Sequence, residues 1–170
     1  MIENDEYIQF PLEFQGHPYH GVEYFFTVFS NKKRLRFNID SGALTNLISD
    51  VSLNECCYIE TGQSVKSQGL LGGVKTKIIL LDFVPEGKDF ETADKTIKFS
   101  LPFTVLRKKD NKLFSEDEYD GLLGGTFLQF CDVNFREGYI RIYKDKANGF
   151  VMRTLLKRIK EEAEKDDTAE

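Results

Sequence analysis

The chain predicts an all-β fold with mainly antiparallel strands. Fifteen Phe and seven Tyr residues without a Trp, together with many Val, Ile and Thr residues, favour strands, because aromatic and β-branched side chains pack well on a pleated surface. Apolar and polar residues alternate over several short stretches separated by turn residues, which is typical of strands with one buried face. At 170 residues the chain has the length of one domain.

Three alternating stretches predict strands in the first part of the chain. They are residues 7–14, 22–29 and 34–39. The first contains Pro11, which has no N–H for a central ladder, so we expect an edge strand there. Turn residues at 16–18 and 30–33 separate the strands, and the second turn predicts an antiparallel hairpin that ends at Ile39.

The middle of the chain predicts a short helix, a hairpin, a polar surface insertion and a further strand. These elements cover residues 49–56, 63–83, 85–94 and 97–106. Ser49 and Asp50 are suited to cap the helix, because their side chains can accept hydrogen bonds from its first N–H groups. The two strands of the hairpin, residues 63–71 and 74–83, meet at a pair of glycines that permits a tight turn.

The last part predicts a charged loop, a short buried strand, a brief helix capped by Thr126, a closing hairpin and an amphipathic helix. They cover residues 107–118, 122–123, 126–130, 133–143 and 150–165. Acidic residues crowd the end of the last helix, where its dipole disfavours them, so we expect residues 166–170 to fray. We therefore expect a β domain over residues 1–149, followed by a helix and an acidic tail over residues 150–170.

An acidic side chain follows the predicted strand 34–39 directly. Asp40, Ser41, Gly42 and Ala43 stand there in sequence. Asp-Ser-Gly is a common turn tripeptide, so the motif gains meaning only from its context. That context is a second segment, residues 122–124, in which two leucines and a glycine precede the predicted brief helix.

The two segments together resemble the retropepsin-like aspartic proteases. That family pairs an Asp-Ser/Thr-Gly-Ala loop with a downstream apolar-apolar-Gly segment that leads into a helix. Residues 40–43 match the first motif, and Leu122, Leu123 and Gly124 match the second. The resemblance extends over roughly residues 20–143.

The resemblance implies a retropepsin-like closed barrel with a flap hairpin, a short helix after the Leu-Leu-Gly segment and an added C-terminal helix. The tip of the flap would be Gly72, Gly73 and Val74. Asp40 would be the catalytic residue, and Ser41, Gly42 and Ala43 would form its loop. Within that loop Ser41 would hold two such loops together, and Gly42 would let the substrate backbone approach. Leu122, Leu123 and Gly124 would support the loop from behind.

One aspartate cannot supply both the base and the acid that peptide hydrolysis requires. The chain contains no second Asp-Ser/Thr-Gly, so two copies of Asp40 would have to meet across a twofold axis. Two carboxylates about 3 Å apart share one proton, and aspartic proteases are the standard example of such a pair. We therefore expect a homodimeric aspartic endopeptidase that acts on extended polypeptide and needs no metal or cofactor.

The chain departs from the family pattern at two places, and the second favours an alternative. Leu44 follows Ala43, where the family often has a small hydroxyl or acidic residue. Gly125 and Thr126 follow Gly124, where the family commonly has an Arg that takes part in an ionic brace. Gly125 and Thr126 in place of the brace favour a catalytically silent peptide-binding or interaction module. A small-molecule binding barrel is a third candidate, in which Asp40 would be incidental.

Composition argues against several other functions. The net charge of −5 and the interspersed basic residues predict no nucleic-acid binding, because phosphate backbones require clustered Lys and Arg. No apolar run is long enough to span a membrane, and residues 1–15 lack the pattern of a signal peptide. His17 and His20 lack the companions of a metal site, and residues 121–125 lack the Lys-Ser/Thr ending of a phosphate-binding loop.

The three cysteines predict reduced thiols. Cys56 and Cys57 are adjacent and poorly placed to bridge each other, and Cys131 makes the count odd. This pattern is typical of a reducing compartment, so we expect a cytoplasmic protein, with an exported mature fragment as the alternative.

Overall fold

The computed structural model describes residues 1–19, 21–66, 75–108, 119–146, 157–161 and 164–165. Within these residues the chain forms strands β1 to β12, a short 3₁₀ helix at Asp50–Leu53 and the helix α1 at Gly125–Leu128. In chain order, the strands are Ile2–Glu3, Tyr7–Pro11, Glu13–His17, Gly21–Ser30, Lys33–Ile39, Asn46–Ser49, Cys57–Lys66, Lys75–Pro85, Phe99–Leu106, Gly121–Leu123, Cys131–Asn134 and Tyr139–Tyr143.

The described strands form two sheets that are mainly antiparallel. The smaller sheet has the order β1-β2-β12-β11, and the larger has the order β3-β4-β5-β10-β6-β9-β8-β7. Strand β8 also pairs with β4, through Val28 with Pro85 and Phe29 with Val84. Two pairs are parallel, β5 with β10 and β6 with β9. The prediction of a mainly antiparallel all-β fold is therefore confirmed.

Phenylalanine rings fill the centre of the core. The ring of Phe83 lies 5.3 Å from that of Phe99 and 6.0 Å from that of Phe103, measured between centroids. Phe127 of α1 lies 5.2 Å from Phe99 and 6.0 Å from Phe26, so the helix is packed against strands β4, β8 and β9. Aromatic pairs at these distances add stabilisation beyond the burial of their area.

The first predicted strand is divided into β2 and β3, and the edge prediction is wrong for β2, the part that contains Pro11, whereas β3 does lie at the edge of the larger sheet. The chain bends at the buried Leu12, between β2 and β3. Strand β2 lies between β1 and β12, not at an edge. Pro11 is tolerated because it is the last residue of β2 and is paired only with Tyr139, whereas β1 reaches only Ile8 and Gln9.

Other elements begin or end at different residues than expected. Strand β7 begins at Cys57, six residues before the predicted start, and contains an irregularity between Glu60 and Ser64 that hides its alternation. The 3₁₀ helix spans only Asp50–Leu53, and the side chain of Ser49 makes no capping bond. The N-cap residue of helix α1 is Gly124 and not Thr126, and no side chain caps the helix.

The C-terminal helix prediction lies largely outside the described residues. Residues 157–161 and 164–165 have helical backbone, and Ile159 is buried. No helix among the described residues is both long and apolar enough to cross a lipid bilayer.

Candidate active site

Strand β10 separates two strands that are consecutive in the chain. It pairs in parallel with β5, up to Leu123 opposite Ile39, and antiparallel with β6, through Leu122 opposite Leu47. The chain that joins β5 to β6 must therefore cross the end of β10. This connection consists of residues 40–45, which we call the Asp40 loop, and its first residue is Asp40.

Asp40 is held by its own loop and by β10. Its N–H donates to the carbonyl oxygen of Leu123 over 3.1 Å. Its Oδ1 accepts from the N–H of Gly42 over 2.9 Å, while Oδ2 has no hydrogen-bond partner within the described ranges. A Cβ at Gly42 would lie 3.3 Å from Oδ1, so glycine leaves the carboxylate uncrowded. One carboxylate oxygen is thus anchored and the other is available to water or substrate.

Gly124 packs directly against the Asp40 loop. A Cβ at this position would lie 2.6 Å from the carbonyl oxygens of both Ala43 and Thr45, well inside van der Waals contact. The close approach brings β10 and the loop into backbone contact, and only glycine allows it.

The first residues of α1 bind the loop through its carbonyl groups. The N–H of Gly125 donates to the oxygen of Ala43 over 2.8 Å. The N–H and the hydroxyl of Thr126 both donate to the oxygen of Leu44 over 3.1 Å. N–H groups in the first turn of a helix have no partner within the helix, so the loop satisfies them.

Asn46 joins the loop to two strands and was missed by sequence reasoning. It is the first residue of β6 and is fully buried. Its Oδ1 accepts from the N–H of Gly124 over 2.9 Å, and its Nδ2 donates to the oxygen of Pro102 over 3.4 Å. The signal that could have found it is a polar residue opening a short strand directly after the Asp-Ser-Gly motif.

Asp120 is a second carboxylate that sequence reasoning missed, and it lies at the other end of β10. Its Oδ2 accepts from the N–H of Arg36 over 2.8 Å, and its Oδ1 accepts from the hydroxyl of Ser52 over 2.7 Å. Both oxygens are engaged by the fold, so Asp120 anchors the start of β10 and is not poised to exchange protons with a substrate.

The outer face of the Asp40 loop is open. Ser41 and Gly42 are exposed, Asp40 and Ala43 are half-buried, and Leu44 is 87% exposed. Leu122 and Leu123, by contrast, are buried beneath the loop. The outer face of the loop thus carries one exposed leucine beside a half-buried carboxylate.

The predicted flap tip, Gly72, Gly73 and Val74, lies outside the described residues. The strands that lead to it are described, and they pair from Cys57 opposite Asp82 to Lys66 opposite Lys75. The described part is therefore an antiparallel strand pair at the edge of the larger sheet, in which β8 is also paired with β9.

The cysteines are not activated for nucleophilic chemistry. All three are free thiols. Burial raises the pKa of Cys56 to about 11, and burial is also the main cause that raises the pKa of Cys57 and of Cys131. Reactive cysteines require the opposite shift, towards the thiolate. Across the described part of the chain, no group of three His, Cys, Asp or Glu side chains is placed to hold a metal ion.

Solved structures similar to this chain include the following two. One is a retropepsin-like aspartic protease from Rickettsia conorii, with 13% identity, a TM-score of 0.49, and coverage of 84% of this chain and 97% of that one. The other is the retroviral protease-like domain of Ddi1 from Leishmania major, with 12% identity, a TM-score of 0.43, and coverage of 69% and 86%. The chain is similar in structure to retropepsin-like proteins.

Because the sequence identities and TM-scores are this low, the likeness shows nothing about activity or about individual residues. No protein-family model matches the chain. No curated protein matches it in sequence. The chemistry of the site therefore depends on the geometry around Asp40.

Proposed function

We propose that the protein is a homodimeric aspartic endopeptidase with a retropepsin-like closed barrel, and that Asp40 from each copy forms its catalytic pair. The observation that carries the proposal is the geometry of Asp40. Its backbone is anchored to Leu123, one carboxylate oxygen is bound by Gly42, and the other oxygen lies at an open surface. An anchored carboxylate with one available oxygen suits general acid–base catalysis.

Dimerisation would complete the site through the exposed face of the Asp40 loop. Ser41 lies on that face, where its hydroxyl could bind the loop of a second copy, and Leu44 offers apolar area for burial. A twofold contact between identical loops brings one Asp40 to the other, because the same patch faces its own copy. Close packing leaves the pair with one shared proton.

The shared proton supplies both catalytic roles. The ionised carboxylate takes a proton from a water molecule, whose oxygen forms a bond to the peptide carbonyl carbon. The protonated carboxyl gives its proton to the carbonyl oxygen, which yields a neutral tetrahedral diol. The protonated carboxyl then gives its proton to the amide nitrogen while the other carboxylate takes a proton from one hydroxyl of the diol. The C–N bond breaks, and the carboxylic acid and amine products leave with the pair again sharing one proton.

The substrate would be an extended polypeptide. Residues 72–74, the proposed flap tip, stand in the sequence between the paired strands β7 and β8. A hairpin that closes over an extended peptide adds main-chain hydrogen bonds and excludes water. The exposed Ile59 and Val65 on β7 provide apolar contact area along this edge strand.

The test is cleavage of a degenerate peptide library at several pH values from acidic to neutral. Asp40→Asn keeps the size of the side chain but removes its acid and base forms, so we expect cleavage to fall by at least about 1,000-fold, given what general acid–base groups contribute. Asp5→Asn is the matched control, because Asp5 is exposed and lies in the turn before β2. Equal cleavage by wild type and Asp40→Asn would contradict the proposal.

The catalytically silent peptide-binding module remains the second candidate, because Gly125 and Thr126 replace the charged brace of the family. The same library separates the two functions. A module without catalysis would retain intact peptides, and Asp40→Asn would retain them equally well.

A further inference from the structure

The buried side-chain amide of Asn46 forms hydrogen bonds to two backbone segments that are distant in the sequence. Its side chain accepts from Gly124 and donates to Pro102, and no part of the residue is exposed to solvent. A buried amide with both ends bonded has one stable orientation, since any rotation would leave a polar group without a partner.

The contact with Gly124 is transmitted to Asp40 through backbone groups. Gly124 lies within van der Waals contact of the carbonyl oxygens of Ala43 and Thr45. The preceding residue, Leu123, accepts the hydrogen bond from the N–H of Asp40. A shift of Gly124 would therefore move both the end of β10 and the Asp40 loop.

The second contact fixes Asn46 itself. Strand β6 pairs in parallel with β9, with Asn46 opposite Phe103, and the bond from Nδ2 to Pro102 ties the side chain to the same strand. Asn46 thus links a strand of the core to the backbone that holds Asp40. Asn46 bonds to Gly124, and Thr126 bonds to Leu44 of the loop. Both side chains are uncharged, so salt screening would not weaken these hydrogen bonds.

We propose that Asn46 is a positioning residue for Asp40, an inference that rests on the proposed endopeptidase function. Asn46 does not touch substrate. It holds Gly124 in place, and Gly124 in turn holds the Asp40 loop in the position in which two Asp40 carboxylates can share a proton. Catalytic geometry tolerates little displacement, since a misplacement of about 1 Å can cost about 100-fold in rate.

The test compares Asn46→Ala with Ser30→Ala. Ser30 is also fully buried and also joins two segments, because its Oγ donates to the oxygen of Asp82 over 2.6 Å and accepts from the N–H of Cys57 over 2.9 Å. It lies at the end of β4 that is paired with the start of β5, far from Asp40. We expect Asn46→Ala to lower kcat by about 100-fold with KM nearly unchanged, and Ser30→Ala to leave kcat at the wild-type value.

A conservative variant separates positioning from general destabilisation. Asn46→Asp keeps an oxygen that can accept from Gly124 and, when protonated, a hydroxyl that can donate to Pro102. At the lowest pH at which the wild type is active, we expect this variant to retain most of the kcat that Asn46→Ala loses. Equal losses in both variants, or a loss in Ser30→Ala as large as in Asn46→Ala, would overturn the proposal.

Amide hydrogen exchange keeps the inference testable without activity. We expect Asn46→Ala to speed exchange of the N–H groups of Asp40 and Ala43 by at least tenfold relative to Ser30→Ala. The N–H of Ala43 bonds to the oxygen of Asp40 within the loop, and the N–H of Asp40 bonds to the oxygen of Leu123, the residue before Gly124. Unchanged exchange would refute the positioning role. If wild type does not cleave peptides but exchange accelerates as expected, then the endopeptidase proposal fails while the structural role of Asn46 stands.

Discussion

Gly124 lies so close to the Asp40 loop that only a hydrogen atom fits between them. Its neighbours are backbone carbonyl oxygens, which cannot turn aside as the end of a flexible side chain can. The size of one residue therefore sets how closely β10 and α1 approach the loop.

We predict that Gly124→Ala displaces the Asp40 loop and lowers both stability and cleavage. The added methyl would lie 2.6 Å from two carbonyl oxygens, so the backbone must move, and overpacking of this kind costs about 1–3 kcal/mol or more. Urea unfolding measures the loss of stability, and peptide cleavage by the folded variant measures the effect on the site.

Gly16→Ala is the matched control for that substitution. Gly16 lies in β3, and a Cβ there meets nothing within 4 Å. We expect a change in the free energy of unfolding within about 0.5 kcal/mol. If Gly124→Ala changed the free energy of unfolding as little as Gly16→Ala, the close contact between Gly124 and the loop would be contradicted.

Strand β10 is short, but side chains or backbone groups bind both of its ends. At its end, Leu123 accepts from Asp40, and before its start, Asp120 accepts from Arg36 and Ser52. Because the strand lies between β5 and β6, these bonds fix the register of both neighbours.

We predict that Asp120→Ala lowers the free energy of unfolding by about 2–3 kcal/mol, because it leaves two partly buried donors without their charged acceptor. Urea or thermal unfolding measures the loss. Asp120→Asn, which retains one acceptor oxygen, should lose less. Since Asp120 lies at the end of β10 opposite to Asp40, kcat of the folded variant should stay near the wild-type value, and a large fall in kcat would contradict this placement.

The whole molecule has one Asp-Ser-Gly-Ala motif, so its proposed chemistry depends on assembly. An isolated copy presents a half site, with the face of the Asp40 loop open. Activity per chain should therefore rise with protein concentration, in step with the dimer fraction measured by sedimentation.

We predict that the Asp40→Asn chain inhibits the wild-type chain on mixing. If every active pair needs two intact aspartates, then adding an equal amount of Asp40→Asn and allowing exchange reduces wild-type activity to roughly half, since about a quarter of all dimers are then wild type. Adding Asp5→Asn in the same way should not reduce activity. Undiminished activity with Asp40→Asn would contradict a shared site.

Local pattern was enough for much of this fold. The alternation that predicted β4, β5 and β12 is a property of neighbouring residues, because successive side chains of a strand point to opposite faces. The position of Asp40 after a strand was equally visible, since it depends only on the residues before it. Where local pattern was weak, as in the irregular part of β7, the prediction began too late.

Contacts between distant residues were decided by the packed chain alone. Asn46 and Gly124 are 78 residues apart, and Leu44 and Thr126 are 82 residues apart, so their local sequence does not predict that they form hydrogen bonds. Strand β2, which ends at Pro11, is paired on one side with β12 from the far end of the β fold, and no residue near Pro11 indicates that pairing. The side chains that support a site are chosen by three-dimensional neighbourhood, because hydrogen bonds and close packing act over a few ångströms of space and not along the chain.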